Sequence, residues 1–323
     1  MNALSVSVII TAHDAAATIA DAVRTALDEP ETGEVIVVDD ASRDATAATA
    51  EAAGRGDGRL RLIRCKANVG PAAARNLALD AAGCAVVAVL DADDFVLPGR
   101  FSRLLAVPDW DMVADNILFV ENNASRGNLP PIPRVTPSLI DIDLTRFVEA
   151  NHAVRGGVRH EWGFLKPLMR RDFLTGNGLR YDGALRLGED YDLYVRMLQK
   201  GARFRVSTEA GYAARWRPDS LSSRHCTADL EALHAAAEAH LSLPGLDGVE
   251  RAALGTYARD LRHRFLLRDF LDRRRQAGRA GALLSALRRP LTLAPIVRGV
   301  LSDKLAARAP KPPSRIGRLL IEG

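Results

Sequence analysis

The stretch Ala85-Val-Val-Ala-Val-Leu-Asp91-Ala92-Asp93-Asp94 decides the fold of this chain. Its apolar run is too short for most helices and rich in valine, so it reads as a strand buried on both faces. Three carboxylates then fall within four residues. At the carboxyl end of a strand in an open α/β sheet, acids stand where ligands bind. Three acids so close repel one another, and a divalent cation bridging a diphosphate is the simplest group that offsets them. The plainer alternative is a solvated acidic turn capping the next helix.

On the N-terminal side the pattern repeats. Val6–Ile10 reads as a strand followed by Thr11-Ala12-His13-Asp14, and Ala15–Leu27 as a helix with Ile19, Val23, Ala26 and Leu27 on one face. Glu34–Val38 is a second strand ending in Asp39-Asp40, Arg43–Ala53 a second helix, and Leu60–Ile63 a third strand. Pro71 suits a first helical turn and Gly83 a stop, so Ala72–Ala82 is the third helix. This alternation predicts a parallel sheet with right-handed crossovers and helices on both faces. In such a sheet the polar ends after the first, second and fourth strands converge on one edge. No G-x-G-x-x-G follows the first strand, so a bound diphosphate needs another counter-charge.

On the C-terminal side, Pro98–Leu105 reads as a short helix, Asp111–Val120 as a strand and 121–143 as a loop or flap. Trp162–Met169 and Gly176–Leu187 form an irregular middle, with Trp162 either a stacking surface for a sugar or a core residue. Glu189-Asp190 opens a helix, Tyr191–Lys200, ended by Gly201. Phe204–Val206 and Gly211–Trp216 are two candidate strands, and from Ala228 the pattern is helical.

Five stretches resemble, in order, the motifs of family 2 glycosyltransferases of the bacterial exopolysaccharide, succinoglycan-type glucosyltransferase kind. They are Val6-Ser-Val-Ile-Ile-Thr-Ala-His-Asp14, Val35-Ile-Val-Val-Asp-Asp-Ala-Ser-Arg-Asp44, Asn68-Val-Gly-Pro-Ala-Ala-Ala-Arg-Asn76, Leu90-Asp-Ala-Asp-Asp94 and Gly188-Glu-Asp-Tyr-Asp-Leu-Tyr-Val-Arg196. The resemblance covers about residues 5–225. It implies the GT-A fold, a Rossmann-like, mostly parallel sheet with helices on both faces, here with a C-terminal helical extension. The implied division is a catalytic domain at 1–225, with a nucleotide-binding half at 1–120 and an acceptor-side half at 121–225, followed by a basic helical extension at 226–323.

The same resemblance implies transfer of a hexose, glucose as the first expectation, from a UDP-sugar with inversion, using Mn²⁺ or Mg²⁺. Thr11 and His13 would line the base pocket, His13 standing where the family usually has a stacking tyrosine. Asp40 would accept the N3 proton of the base, with Asp39 as a cap or support. Arg75 would reach the base or a phosphate, its alternative being a surface helix arginine. Asp91 and Asp93 match the D-x-D motif, facing ribose and metal, and Asp94 would share the metal. Asp190 would be the catalytic base, its alternative a simple helix cap beside Glu189. Arg217 stands where the family often has a metal-binding histidine, and His225 is a weaker substitute for it.

Charge divides the chain. Residues 251–323 hold 17 Lys+Arg and 5 Asp+Glu, whereas residues 1–250 hold 27 and 35. The acidic part suits metal binding. The basic part suits an anionic membrane surface or a helical bundle with arginines on its wet face. Nucleic acid is not expected, because aromatics are not interleaved with the basic residues. The expected partners are therefore a UDP-sugar donor and a saccharide acceptor, carried on a polyprenyl diphosphate. The start of the sequence carries no basic leader, and Cys65, Cys84 and Cys226 lack metal-like spacing, so a reduced, cytoplasmic protein peripheral to the inner face of the cell membrane is expected. Two alternatives compete: a haloacid-dehalogenase-like phosphoryl transferase, disfavoured because its acid would follow the first strand, and a non-catalytic nucleotide-sugar-binding homologue.

Overall fold

The computed structural model describes residues 4–152, 161–216, 226–287, 297 and 316–321, with side chains of the last long helix to 278. His225, Arg217 and the prolines at 290, 310, 312 and 313 lie outside the described residues.

The first half follows the sequence pattern closely. Strands β1 (Val6–Ala12), β2 (Thr32–Asp39), β3 (Leu60–Arg64) and β4 (Val86–Val89) are all parallel, in the order β3-β2-β1-β4. Helices α1 (Ile19–Leu27), α2 (Thr46–Ala53) and α3 (Pro71–Ala81) make the crossovers. The continuous apolar runs have the expected cause: Val8, Ile9, Ile10, Val35–Val38 and Val86–Val89 are all buried.

The second half is mixed. Strand β5 (Phe95–Val96) and helix α4 (Arg100–Leu105) precede β6 (Met112–Val120), buried along its whole length. The expected flap at 121–143 ends in a strand, β7 (Leu139–Ile142), and is followed by helix α5 (Leu144–Ala150). The irregular middle contains β8 (Leu168–Arg170) and α6 (Arg171–Gly176). Strand β8 is antiparallel to both β4 and β6 and so joins the two halves. Helix α7 (Glu189–Gln199) follows, and the two strands expected at 204–216 are one, β9 (Phe204–Arg215), parallel to β6 with register shifts at Asn116. Gly211 lies where an added Cβ would stand 1.6 Å from Asp115 Oδ2, so the close pass of β9 over the buried Arg100–Asp115 ion pair requires glycine.

The extension shares this core. Helices α8 (Thr227–Leu241) and α9 (Gly248–Leu287, broken at Gly278) place Leu233, Leu254, Tyr257 and Leu261 in the same apolar cluster as the sheet. His240 Nε2 on α8 lies 2.8 Å from Asp192 Oδ1 on α7, both buried. The last described residues also return to the sheet: Leu319 bridges Leu118 of β6, and the Asn116 amide pairs with both the N–H and the C=O of Ile321 at 2.9 and 2.8 Å. The described parts of the basic extension therefore pack on the core at both ends. Asn116→Ala should lower stability by about 3 kcal/mol in urea unfolding, because it strands several buried backbone groups at once.

Candidate active site

Three side-chain clusters lie along the edge where β1, β2 and β4 end. The first forms around Asp40. His13 Nδ1 is 2.8 Å from the Asp40 carbonyl, and the Asp40 N–H donates to Ala12. The Asp40 carboxylate accepts the N–H groups of Val69 (2.7 Å) and Gly70 (2.9 Å). Asp39 Oδ1 accepts the Ser42 N–H, the turn-supporting part expected of it. Thr11 pairs with Val38 in the β1–β2 register, so Thr11, His13 and Asp40 are indeed neighbours. Two non-glycine residues here, Asp14 and Ala41, take left-handed backbone angles (φ 50° and 58°). Backbone strain of this kind persists where surrounding bonds over-determine it, commonly at sites. Asp40 thus has a task that the sequence did not disclose, fixing the loop that starts α3.

That loop matters because α3 carries Arg75 into the second cluster. Arg75 is no surface arginine: it is 4% exposed. Its Nη2 bonds Asp91 Oδ1 at 2.9 Å, and its Nη1 bonds Asp190 Oδ1 at 3.0 Å and Glu189 Oε1 at 2.5 Å. Lys166, also buried, takes the other oxygens: its Nζ lies 2.8 Å from Asp91 Oδ2 and 2.7 Å from Asp190 Oδ2. Asp91, Arg75, Asp190 and Lys166 therefore close a ring in which each carboxylate is held by both cations. Asp190 is more than a helix cap. Gly188, in the left-handed region at φ 72°, turns the chain into α7 and delivers Glu189 and Asp190 to the ring.

Burial opposes every charge in this ring, and the counter-charges decide the outcome. Burial would raise the Asp91 carboxyl, but Lys166 and then Arg75 outweigh it and hold the group down at about 2. Burial would lower the Lys166 ammonium, but Asp190 and Asp91 outweigh it and raise the group, so Lys166 stays protonated. The Tyr181 ring lies under the Arg75 guanidinium at 5.3 Å, and its phenol is pushed well up, first by burial and then by the Asp190 anion.

The third cluster shapes the Asp91–Asp94 turn from β9. The Tyr212 hydroxyl accepts the Asp91 N–H (3.1 Å) and donates to Asp94 Oδ2 (2.9 Å). Arg215 donates its N–H to Asp94 Oδ1 (2.9 Å), and its guanidinium bonds the Asp93 carbonyl and Asp21 Oδ2, both at 2.6 Å. Both Asp94 oxygens are thus hydrogen-bonded within the fold, so Asp94 braces the turn. Its carboxyl is pushed well up, by burial first and then by Asp93 and Asp91. Asp93 stays half-buried at the strand end.

Among the described residues, no three His, Cys, Asp or Glu side chains form a ready-made metal cage. The residues nevertheless fit a hard divalent cation. Oxygen donors dominate, Asp91, Asp93 and Asp94 cluster at one strand end, and Mg²⁺-type ions take one or two carboxylates and draw their other ligands from phosphate and water. Trp162 proves to be core, 6% exposed with Arg146 over its ring, and the nearby Phe164 is the exposed aromatic.

Lys166, Glu189, Tyr212 and Arg215 are the members of these clusters that sequence reasoning did not assign. Glu189-Asp190 carried a signal for the first two, since two acids entering a buried site require cations.

A mostly parallel half joined to a mixed half, with carboxylates converging at the strand ends, is the architecture of GT-A glycosyltransferases. Residues 7–173 match the model of glycosyl transferase family 2, and the chain belongs to that family. It is 48% identical over 299 residues to the succinoglycan biosynthesis protein ExoU of Rhizobium meliloti (strain 1021), covering 93% of this chain and 87% of that protein. It is 35% identical over 321 residues to the succinoglycan biosynthesis protein ExoO of the same organism, covering 96% and 89%. Among solved structures it shares the fold of S. aureus TarS 1-349 in complex with UDP-GlcNAc (TM-score 0.59, 21% identity, 84% of this chain and 74% of that one). It also shares that of the mannosyltransferase PcManGT from Pyrobaculum calidifontis in complex with GDP-Man and Mn²⁺ (TM-score 0.57, 16% identity, 94% and 81%).

Proposed function

We propose that this protein is an inverting glycosyltransferase that moves a hexose from a UDP-sugar to a saccharide acceptor during assembly of a bacterial exopolysaccharide of the succinoglycan kind. The observation that carries the reading is the ring of Asp91, Arg75, Asp190 and Lys166 at the edge where β1, β2 and β4 end. It holds Asp190 between two cations beside the D-x-D turn, and a carboxylate there is what an attacking acceptor hydroxyl needs to give up its proton. The role in exopolysaccharide assembly is supported by the likeness to ExoU and ExoO along most of their lengths. Glucose as the sugar and a polyprenyl-diphosphate-linked acceptor extend the same reading.

In this reading Thr11, His13 and Asp40 form the base pocket, with the lone pairs that Asp40 has left after holding Val69 and Gly70 facing the N3 proton. Asp93 would hold Mn²⁺ or Mg²⁺, which supplies charge neutralisation for the leaving diphosphate. Asp94, Tyr212 and Arg215 keep the turn in shape for it. Asp190 takes the acceptor proton. Among the described residues no helix is long and apolar enough to cross a membrane. The exposed Arg273–Arg275 on α9 suit contact with anionic lipid on the cytoplasmic face, where the donor is made.

The test is thermal unfolding with nucleotide and metal. UDP with Mn²⁺ at about 100 Kd should stabilise the protein by about 2.7 kcal/mol, UDP with EDTA far less, and Asp93→Ala should abolish the metal-dependent part. The same titration with GDP reports on whether His13 sits in a uracil pocket. No metal-dependent nucleotide binding would defeat the proposal.

A further inference from the structure

We propose that Lys166 is the positioning residue for Asp190: it fixes where the carboxylate stands and ties it to Asp91 at the donor side. This rests on the assignment of Asp190 as base. The geometry is specific. Arg75 spans the Oδ1 atoms of the two aspartates and Lys166 spans the Oδ2 atoms, so removing either cation leaves each carboxylate free to rotate about the other. Arg75 divides itself among three acids, Glu189 included. Lys166 serves only Asp91 and Asp190 among the ion pairs described.

The backbone around Lys166 is held as firmly as its side chain. The buried Arg100, paired with Asp115, donates Nη2 to the Lys166 carbonyl. The buried Tyr194 hydroxyl donates to the Leu165 carbonyl at 3.2 Å. One supporting side chain comes from α4 and the other from α7, the helix that carries Asp190. A reacting group held on rigid elements by locked neighbours is the arrangement that keeps a near-attack geometry. Lys166 is buried and raised by its two anions, so it stays charged and cannot itself be the base. Its action is positional: with Arg75 it holds both oxygens of the Asp190 carboxylate in one orientation beside Asp91.

Asp190 is faced by Arg75, Lys166, Glu189 and, through the ring, Asp91, with the phenols of Tyr181 and Tyr194 alongside. Removing Lys166 takes away one of two cations and leaves every anion. Lys166→Met should therefore act on the placement of Asp190 and not on donor binding. kcat at its optimum should fall about 100-fold through misplacement of the base, with donor KM changing far less. Lys166→Arg keeps the charge but not the point geometry. It should show wild-type Tm and donor KM with kcat about tenfold down, and it decides the matter if Lys166→Met fails to fold. Wild-type kcat in Lys166→Met, or a folded Lys166→Arg with donor KM raised as much as kcat is lowered, overturns the role. Asp190→Asn measured alongside separates the two levels. If it retains full turnover, the base assignment fails; if it is inactive while both Lys166 variants behave as wild type, only the inference about Lys166 fails.

Discussion

Asp190→Asn should lower the transfer rate by about 10³-fold while leaving UDP binding intact. The substitution keeps the shape of the side chain and removes its ability to accept a proton. It also leaves the site well balanced. The ring and its neighbour hold three acids, Asp91, Glu189 and Asp190, against two cations, Arg75 and Lys166. Losing one acid leaves equal numbers, so the variant should fold with a Tm close to that of wild type. Single-turnover assays with labelled donor, paired with UDP titrations, read the two effects separately. A variant that binds UDP and transfers normally would remove Asp190 from the chemistry.

Arg75→Met should do the opposite, damaging stability and activity together. It leaves Lys166 alone to face three carboxylates in a buried site, where removing one partner of an ionic network costs about 3–5 kcal/mol. The deficit should depend on pH with a definite sign. In the wild type, the cations hold Asp91 at about 2, below its ordinary value. That contribution is fully present above the ordinary carboxylate range and is lost as the pH falls towards 2. In the variant the acids lose a counter-charge and their carboxyls rise, so the penalty is relieved as they protonate. The gap between the two proteins in urea unfolding should therefore narrow as the pH falls from 7 to about 4. A gap that stays constant would mean that Arg75 stabilises the fold by packing alone.

The elements that were legible in the sequence share one property. Parallel strands buried on both faces leave unbroken apolar runs, and β1, β2 and β4 each end such a run in acids or a histidine. Local pattern was enough to place Thr11, His13, Asp40, Asp91 and Asp93 on one edge. What was not legible depends on distant partners. Strand β8 has three residues and exists because β4 and β6 pair with it from both sides. Strand β9 looked like two strands because Ser207, Thr208 and Glu209 interrupt its apolar pattern; pairing with β6 and β7 carries it across. Lys166 sits in an apolar stretch with no charge pattern near it, and its partners lie 75 positions before and 24 after. The bracing of Asp94 was equally hidden, since Tyr212 and Arg215, which bond its oxygens, lie about 120 residues on. The residues at 316–321 had no signature of their own; Asn116, 205 positions earlier, holds them to the sheet.

The account depends on carboxylates from separate strands and a helix meeting around one cation-clamped pyrophosphate. The most direct measurement is the anomalous signal of Mn²⁺ in crystals grown with UDP. The account predicts a single strong peak about 2.1 Å from the Asp93 carboxylate, with the diphosphate against it on the side of Asp91, Arg75 and Lys166. A peak elsewhere, or UDP bound with no manganese beside Asp93, would contradict it.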